Sequence, residues 1–299
     1  MKENKKFAGI FPAVITPFDE EQEVDRSRLK DFLDHLIEGG VHGLYLLGTN
    51  GEAPLLTFEE KKGIIETALD HVDDRVPVIV GSMCNSTIKT IKLSKFAQQK
   101  GADAVHVIIP YYYPMSGSNL KDHIKRLAVD IKIPIFLYSI PQFTGNELRA
   151  STVIDLLDID RFIGLKDSSG DVEFFYRTLK RAREKRKDFV YFGGNDSLIL
   201  HYLMHGSDGS VTAVGNAFPE LVSGIYEDHG SGDIYSAVQK QERVLEIKDV
   251  FSDYPALSAV KGALKARGKD YGDLREPMYS LSEGELKEIE NKLESIGVI

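Results

Sequence analysis

The chain has 299 residues, a single cysteine and a net charge of −9 at neutral pH. That length suits either two ordinary domains or one α/β barrel of about 250 residues. The acidic balance argues against a general nucleic-acid or anionic-membrane binder, and the lone Cys84 excludes an intrachain disulfide and a cysteine-rich zinc site.

The basic N-terminal stretch runs into GIFPAVITPFDEE, where two prolines and an acidic end make a first strand rather than a signal peptide. No run of 18 apolar residues offers a membrane span. With one cysteine, the expected compartment is the cytoplasm.

Short apolar β-type runs then alternate with amphipathic ones. The strands are read as beginning near Ile10, Gly43, Val76, Ala104, Pro134, Phe162, Val190 and Gly209. Most are nearly continuous apolar runs, as in parallel strands covered by helices. Six of the seven spacings are about 28 to 33 residues, and the last is near 19, with SLILHYLMHG between its strands. Helices are signalled by Asp25 before RSRLKDFLDHLIE, by Thr57 with Glu60 as a capping box, by Ser86 with Gly101 closing, and by Ser151. After Pro219 four helical runs continue to the end. Eight β-then-α units predict a (β/α)₈ TIM barrel over residues 1–229, with a C-terminal helical extension over 230–299. A doubly wound open sheet is the rival architecture.

In such barrels the active site forms where the strands end. Strand 2 ends in Gly48-Thr49-Asn50-Gly51-Glu52, a tight turn with free backbone N–H groups and a hydroxyl that can hold a carboxylate or phosphate. Strand 4 ends in Pro110-Tyr111-Tyr112-Tyr113-Pro114, whose hydroxyls relay protons or whose rings simply pack. Strand 5 ends in Tyr138-Ser139-Ile140-Pro141. Strand 6 reads FIGLK and stops on Lys166, an unusual end for an apolar run, since lysine is rarely buried unpaired. Alternation places Ile163 and Leu165 on one face and Gly164 and Lys166 on the other. If the second face is the interior, Lys166 stands at the barrel mouth, where desolvation favours a neutral, nucleophilic amine. An ion pair with Asp167 is the competing reading. Strand 7 ends in Gly193-Gly194-Asn195-Asp196-Ser197, where glycines allow close backbone approach.

Other features point to packing. His201 and His205 are spaced for a metal, but Tyr202 stands where a zinc protease pattern needs Glu. The basic run 180–187 falls at a helix C-terminus, where cations are favoured. Cys84 is read as a small filler past strand 3.

Taken in order, AVITPF, GTNGE, PYYYP, YSIPQFTG, GLKDSSGD, GGND and GALKARG resemble the dihydrodipicolinate synthase / N-acetylneuraminate lyase family, class I pyruvate-type aldolases on a (β/α)₈ barrel. The resemblance covers nearly the whole chain. It implies that Lys166 forms a Schiff base with the 2-oxo group and that Tyr138 moves protons to and from the aldol oxygen. Gly48, Thr49 and Asn50 would hold the substrate carboxylate. Tyr112 would reach into a neighbouring subunit's site, which implies a homotetramer or dimer of dimers. Ser168, Gly194, Asp196 and Ser197 would line the pocket for the variable part of the substrate. Neither metal nor cofactor is implied, because the iminium serves as electron sink, and the partners are pyruvate and an aldehyde.

Two departures bear on the substrate. Dihydrodipicolinate synthases usually carry Arg where this chain has Phe143, and sialic acid lyases carry Glu where it has Ser197. YYYP, YSIPQFTG and GGNDSLI look more like the 2-keto-3-deoxy sugar acid aldolases, and KDSSGDV is similar to the 4-hydroxy-2-oxoglutarate aldolases. The expected activity is reversible cleavage of a 2-keto-3-deoxy sugar acid to pyruvate and an aldehyde. The alternatives are 4-hydroxy-tetrahydrodipicolinate synthase and a barrel that binds a 2-oxo acid without turnover.

Overall fold

The computed structural model describes residues 5–299, so most of the basic N-terminal stretch weighed above lies outside it. Eight strands follow one another: β1 Gly9–Pro12, β2 Leu44–Leu46, β3 Val78–Gly81, β4 Ala104–Ile108, β5 Ile135–Ser139, β6 Phe162–Asp167, β7 Val190–Gly193 and β8 Gly209–Thr212. From β2 to β8 each strand pairs in parallel with the next, and β1 pairs with β8. The ring is completed between the first two strands by a bridge from Ala13 to Tyr45. This is the TIM barrel the strand spacing predicted.

The helices are α1 Arg26–Glu38, α2 Phe58–Val72, α3 Thr87–Gln99, α4 Gly117–Asp130, the one-turn α5 Pro141–Thr144, α6 Ala150–Leu156, α7 Val172–Lys185, α8 Ile199–Met204 and α9 Pro219–Ser231. Three more follow: α10 Ile234–Ser252, α11 Ala256–Ala266 and α12 Glu283–Ser295. Asp25 caps α1 through Ser27 and Arg28, and Thr57 with Glu60 forms a complete capping box on α2. Two start signals differ from expectation. Ser86 precedes α3 but its side chain makes no capping bond. Ser151 does not open a helix: α6 begins one residue earlier, after Arg149, which lacks a side-chain cap. Packing of Val153 and Leu156, both fully buried, holds this turn where capping does not.

The apolar residues divide into two clusters. The larger joins strands to helices, and the smaller fills the barrel interior with Phe11, Tyr45, Phe136 and Phe192 among others. Gly164 belongs to this interior, since a Cβ there would meet the Phe136 ring at 2.4 Å. Leu165 faces the outer core as alternation requires, but Ile163 does not share its face and packs against the interior cluster. The cause is a register shift, Ile135 pairing with Phe162 and Phe136 with Gly164, which leaves Ile163 as the extra residue.

The remaining sequence candidates fall into this packing. Cys84 is buried, its thiol donating to the Ser82 carbonyl at 3.0 Å, and burial pushes its pKa up. Within the basic run, Arg183 pairs with Asp208 at 2.6 Å and Lys185 with Asp158 at 2.5 Å. His201 and His205 pack against Tyr176, and His205 Nδ1 lies 2.8 Å from the His201 carbonyl. Among the described residues no group of three or more His, Cys, Asp or Glu side chains could hold a metal ion, and no helix is long and apolar enough to cross a membrane.

Gly164→Ala forces a methyl against the Phe136 ring and the Val190 carbonyl. Overpacking of this kind costs about 1–3 kcal/mol, read as a lower urea midpoint at unchanged m value.

Candidate active site

The β5–β6 register sets the site. Tyr138 pairs with Lys166 and Ser139 with Asp167. Partners in a parallel ladder point the same way, so Tyr138 and Lys166 share the interior face and Asp167 turns outward. Its carboxylate accepts from Tyr191 Oη at 2.8 Å and from the Ser169 backbone N–H and hydroxyl at 3.0 Å each. Burial raises its pKa, and these three donors offset part of the rise. The Lys166–Asp167 ion pair weighed from sequence is therefore absent: the carboxylate lies on the other side of the sheet.

Lys166 is 4% exposed and makes no ion pair among the described residues. Its Nζ sits over two aromatic rings, 3.9 Å from the centroid of Tyr138 and 4.7 Å from that of Tyr45. Tyr138 Oη lies 3.1 Å from Thr49 Oγ1. The amine, the phenol and the threonine hydroxyl thus come together at the mouth from strands 6, 5 and 2.

Below them lies a floor that the sequence reading missed. His106 of β4 stacks on Tyr45 with centroids 3.9 Å apart, and Tyr138 meets both rings edge-on. His106 Nε2 donates to the Leu46 carbonyl at 2.9 Å. Gly81 makes room for it, since a Cβ there would lie 2.3 Å from that nitrogen. Burial, helped by the charge of Lys166, lowers the His106 pKa to about 3, so the ring stays neutral. Burial also raises Tyr45 well above its ordinary range. Neither side chain offers Lys166 a counter-charge. The available signal was a histidine at an inward position of the apolar run AVHVI.

The turn after β2 leaves the strand through Leu47 at φ +55 and closes at Glu52 with φ +50, both left-handed. The Glu52 N–H donates to the Thr49 carbonyl at 3.0 Å. Asn50 Nδ2 is buried with no hydrogen-bond partner.

The other candidates lie around this centre. Gly194 must be glycine, because a Cβ would lie 2.2 Å from Ser168 Oγ, and its N–H donates to the Asp167 carbonyl at 2.7 Å. Ser168 Oγ donates to the Gly194 carbonyl at 3.3 Å, joining the loops of β6 and β7. The Asp196 carboxylate accepts the N–H of Val214 at 2.9 Å and of Ala213 at 3.1 Å, so it braces the end of β8. The Ser197 N–H donates to the Asn195 side chain at 3.1 Å. Gln142, not singled out from sequence, ties α5 to the β6 loop through the Ser168 carbonyl at 3.0 Å.

Two aromatic candidates are largely exposed. Tyr112 is 85% exposed with a left-handed φ of +77, and Phe143 is 65% exposed. Phe143 lines one edge of an apolar cavity of about 270 Å³, with Thr49, Leu55, Met83, Tyr111 and Leu257 around it.

The dihydrodipicolinate synthetase family model matches residues 6–296, and the chain belongs to that family. It is accordingly a class I aldolase or lyase, of a family whose members are pyruvate-dependent. A DapA-like lyase of Halobacterium salinarum is 38% identical over 97% of this chain and 94% of its own. The Escherichia coli K12 protein YjhH, a probable 2-dehydro-3-deoxy-D-pentonate aldolase, is 33% identical over 88% of each chain. The Bacillus subtilis 4-hydroxy-tetrahydrodipicolinate synthase is 34% identical over 93% of this chain and 96% of its own. Among solved structures, E. coli YagE in complex with pyruvate superimposes with a TM-score of 0.94 at 31% identity, covering 98% of this chain and 99% of that one. Sugar-acid aldolase and synthase relatives are thus about equally similar.

The neutral floor makes a pH prediction. An unfolded chain protonates His106 near 6.5 and the folded one only near 3, so protons favour unfolding between those values. Stability drawn from this residue is complete above pH 6.5 and is lost as pH falls toward 3. In His106→Asn, stability plotted against pH between 4 and 6 should be less steep by about 1 kcal/mol per unit, measured by urea unfolding across that range.

Proposed function

We propose that the protein cleaves a 2-keto-3-deoxy sugar acid reversibly to pyruvate and an aldehyde through a Schiff base on Lys166. The observation that carries this reading is a buried lysine amine without a counter-ion, beside a phenol hydrogen-bonded to a threonine hydroxyl.

Lys166 Nζ attacks the C2 ketone, and loss of water leaves an iminium. The C3–C4 bond breaks, its electron pair moving toward the iminium nitrogen to give an enamine. The C4 hydroxyl proton passes to Tyr138 Oη as Tyr138 hands its own to Thr49 Oγ1 and Thr49 passes its own on to solvent at the mouth; the aldehyde departs, and the same relay in reverse supplies the proton for C3. Protonation at C3 and hydrolysis release pyruvate and restore the amine. The carboxylate rests on the Thr49–Asn50 turn, whose orienting role supplies much of the rate. Ser168, Gly194 and Ser197 flank the space for the hydroxylated tail. Asp196 acts there by holding β8.

Tyr112 and the apolar cavity fit the same reading if the enzyme is a homo-oligomer. Tyr112 of one subunit would then complete the proton path of the next, and the Thr49 edge of the cavity is where it would arrive. Phe143 favours sugar acids over a dicarboxylate semialdehyde, since it supplies no guanidinium for a second carboxylate. A cytoplasmic setting accords with a single, buried cysteine.

Borohydride reduction with pyruvate should add a single pyruvate-derived mass, mapping to Lys166; label elsewhere defeats the reading. In a panel of keto-deoxy acids, pyruvate release should exceed turnover with aspartate semialdehyde, and the reverse result assigns the synthase reaction. Tyr138→Phe should still form the adduct while kcat falls by about 10²–10⁴. Mixing inactive Lys166→Ala with inactive Tyr112→Phe subunits should restore part of the activity, and no recovery on verified subunit exchange removes Tyr112 from a shared site.

A further inference from the structure

Glu52, which closes the carboxylate-receiving turn, has a fully buried carboxylate. Its Oε1 lies 3.2 Å from the ammonium of Lys261, which arrives from α11 with its own side chain 5% exposed. Glu52 Oε2 accepts the backbone N–H of Arg275 at 2.9 Å. Lys261 Nζ also donates to the Thr16 carbonyl at 3.0 Å and the Asp273 carbonyl at 2.6 Å. The Thr16 hydroxyl in turn donates to the Gly51 carbonyl at 2.6 Å. Lys261 and Arg275 both lie over the Phe18 ring, at 4.9 and 4.5 Å from its centroid.

Two consecutive residues of the turn, Gly51 and Glu52, are therefore fixed from behind by groups more than 200 positions away in sequence or by the β1 loop those groups hold. Burial pushes the Glu52 carboxyl up and the Lys261 ammonium down, and each partner offsets part of the other's shift. A buried ion pair is a poor source of stability, often no better than an apolar pair of equal volume. What it supplies here is geometry. The anchored side chain belongs to the residue whose left-handed backbone donates its N–H to the Thr49 carbonyl.

We infer that the Lys261–Glu52 pair is a positioning device through which the C-terminal helices set the Thr49–Asn50 turn for the substrate carboxylate. It acts on recognition of the carboxylate and leaves carbonyl chemistry at Lys166 untouched. This rests on the Schiff-base reading above. Glu52 and Lys261 are positioning residues, since neither reaches the reacting atoms.

The test compares two ketones that differ only at the carboxylate: pyruvate, and acetone with a methyl in its place. Reductive trapping on Lys166 is followed against ketone concentration in the native protein and in the double variant Glu52→Gln with Lys261→Met, which removes both charges together. The half-saturating pyruvate concentration should rise at least about tenfold while that of acetone stays within about twofold. An equal change for both ketones, or no change for either, overturns the inference. If the double variant fails to fold by circular dichroism, Glu52→Gln alone carries the test: it keeps an acceptor for the Arg275 N–H and should show the same selectivity change at smaller size. A native protein trapped by neither ketone removes the Schiff-base reading, and the inference falls with it.

Discussion

Everything at the mouth of this barrel depends on keeping a cation-forming amine away from any anion. The β5–β6 register turns Tyr138 and Lys166 inward together and Asp167 outward. A slip of one residue would exchange the two faces and set Asp167 against the interior rings. The outward carboxylate is then committed to Tyr191 and Ser169, which keeps it from bending back toward the lysine. The inward amine is left with the faces of Tyr45 and Tyr138. Those faces provide attraction for a positive charge without the proton-holding power of a carboxylate. A neutral His106 beneath them completes a floor that carries no charge.

The parts of this arrangement differ in how far the sequence exposes them. Continuous apolar runs about 30 residues apart fix the barrel, because each strand is buried on both sides and its helix must return it to the next. Lys166 stands out for the same reason: a charge at the end of FIGLK violates the run. Ile163 escaped the simple alternation because a register shift is a property of two strands, and β6 read alone cannot show it. Tyr45 and His106 sit inside runs that look like ordinary core, and only a closed ring brings β2 against β4 across the interior. Asp196 was legible as a strand-end carboxylate, but its direction depends on where the start of the β8 loop lies. Lys261 was hidden most fully. On a helical pattern it reads as a surface residue, and its burial follows from how the tail folds back over the first strand-end loop.

The tail's contact changes what the C-terminal helices mean. A barrel of this kind closes without them, β1 against β8. Three helices that only covered surface would be expected to meet the barrel through apolar side chains. The tail does this, Tyr271 packing on Phe32, but it also sends one ammonium and one backbone N–H to the glutamate that ends the second strand's loop. The energetic argument is one of specificity. Separating two buried charges costs several kcal/mol, so the pair resists any displacement of the loop that would part them.

On the reading proposed above, a protein of net charge −9 must hold an anion. A long-range field of this sign repels a 2-oxo acid weakly, and at physiological salt it is screened within roughly 8 Å. Inside the mouth that reading leaves the task to the Thr49 hydroxyl and the Asn50 amide. Such donors act best when their direction is fixed before the ligand arrives. Donors on a mobile turn would lose most of that advantage to ordering entropy. On that reading, binding of the carboxylate rests on the rigidity of one turn, which the inferred role of the Lys261–Glu52 pair would anchor.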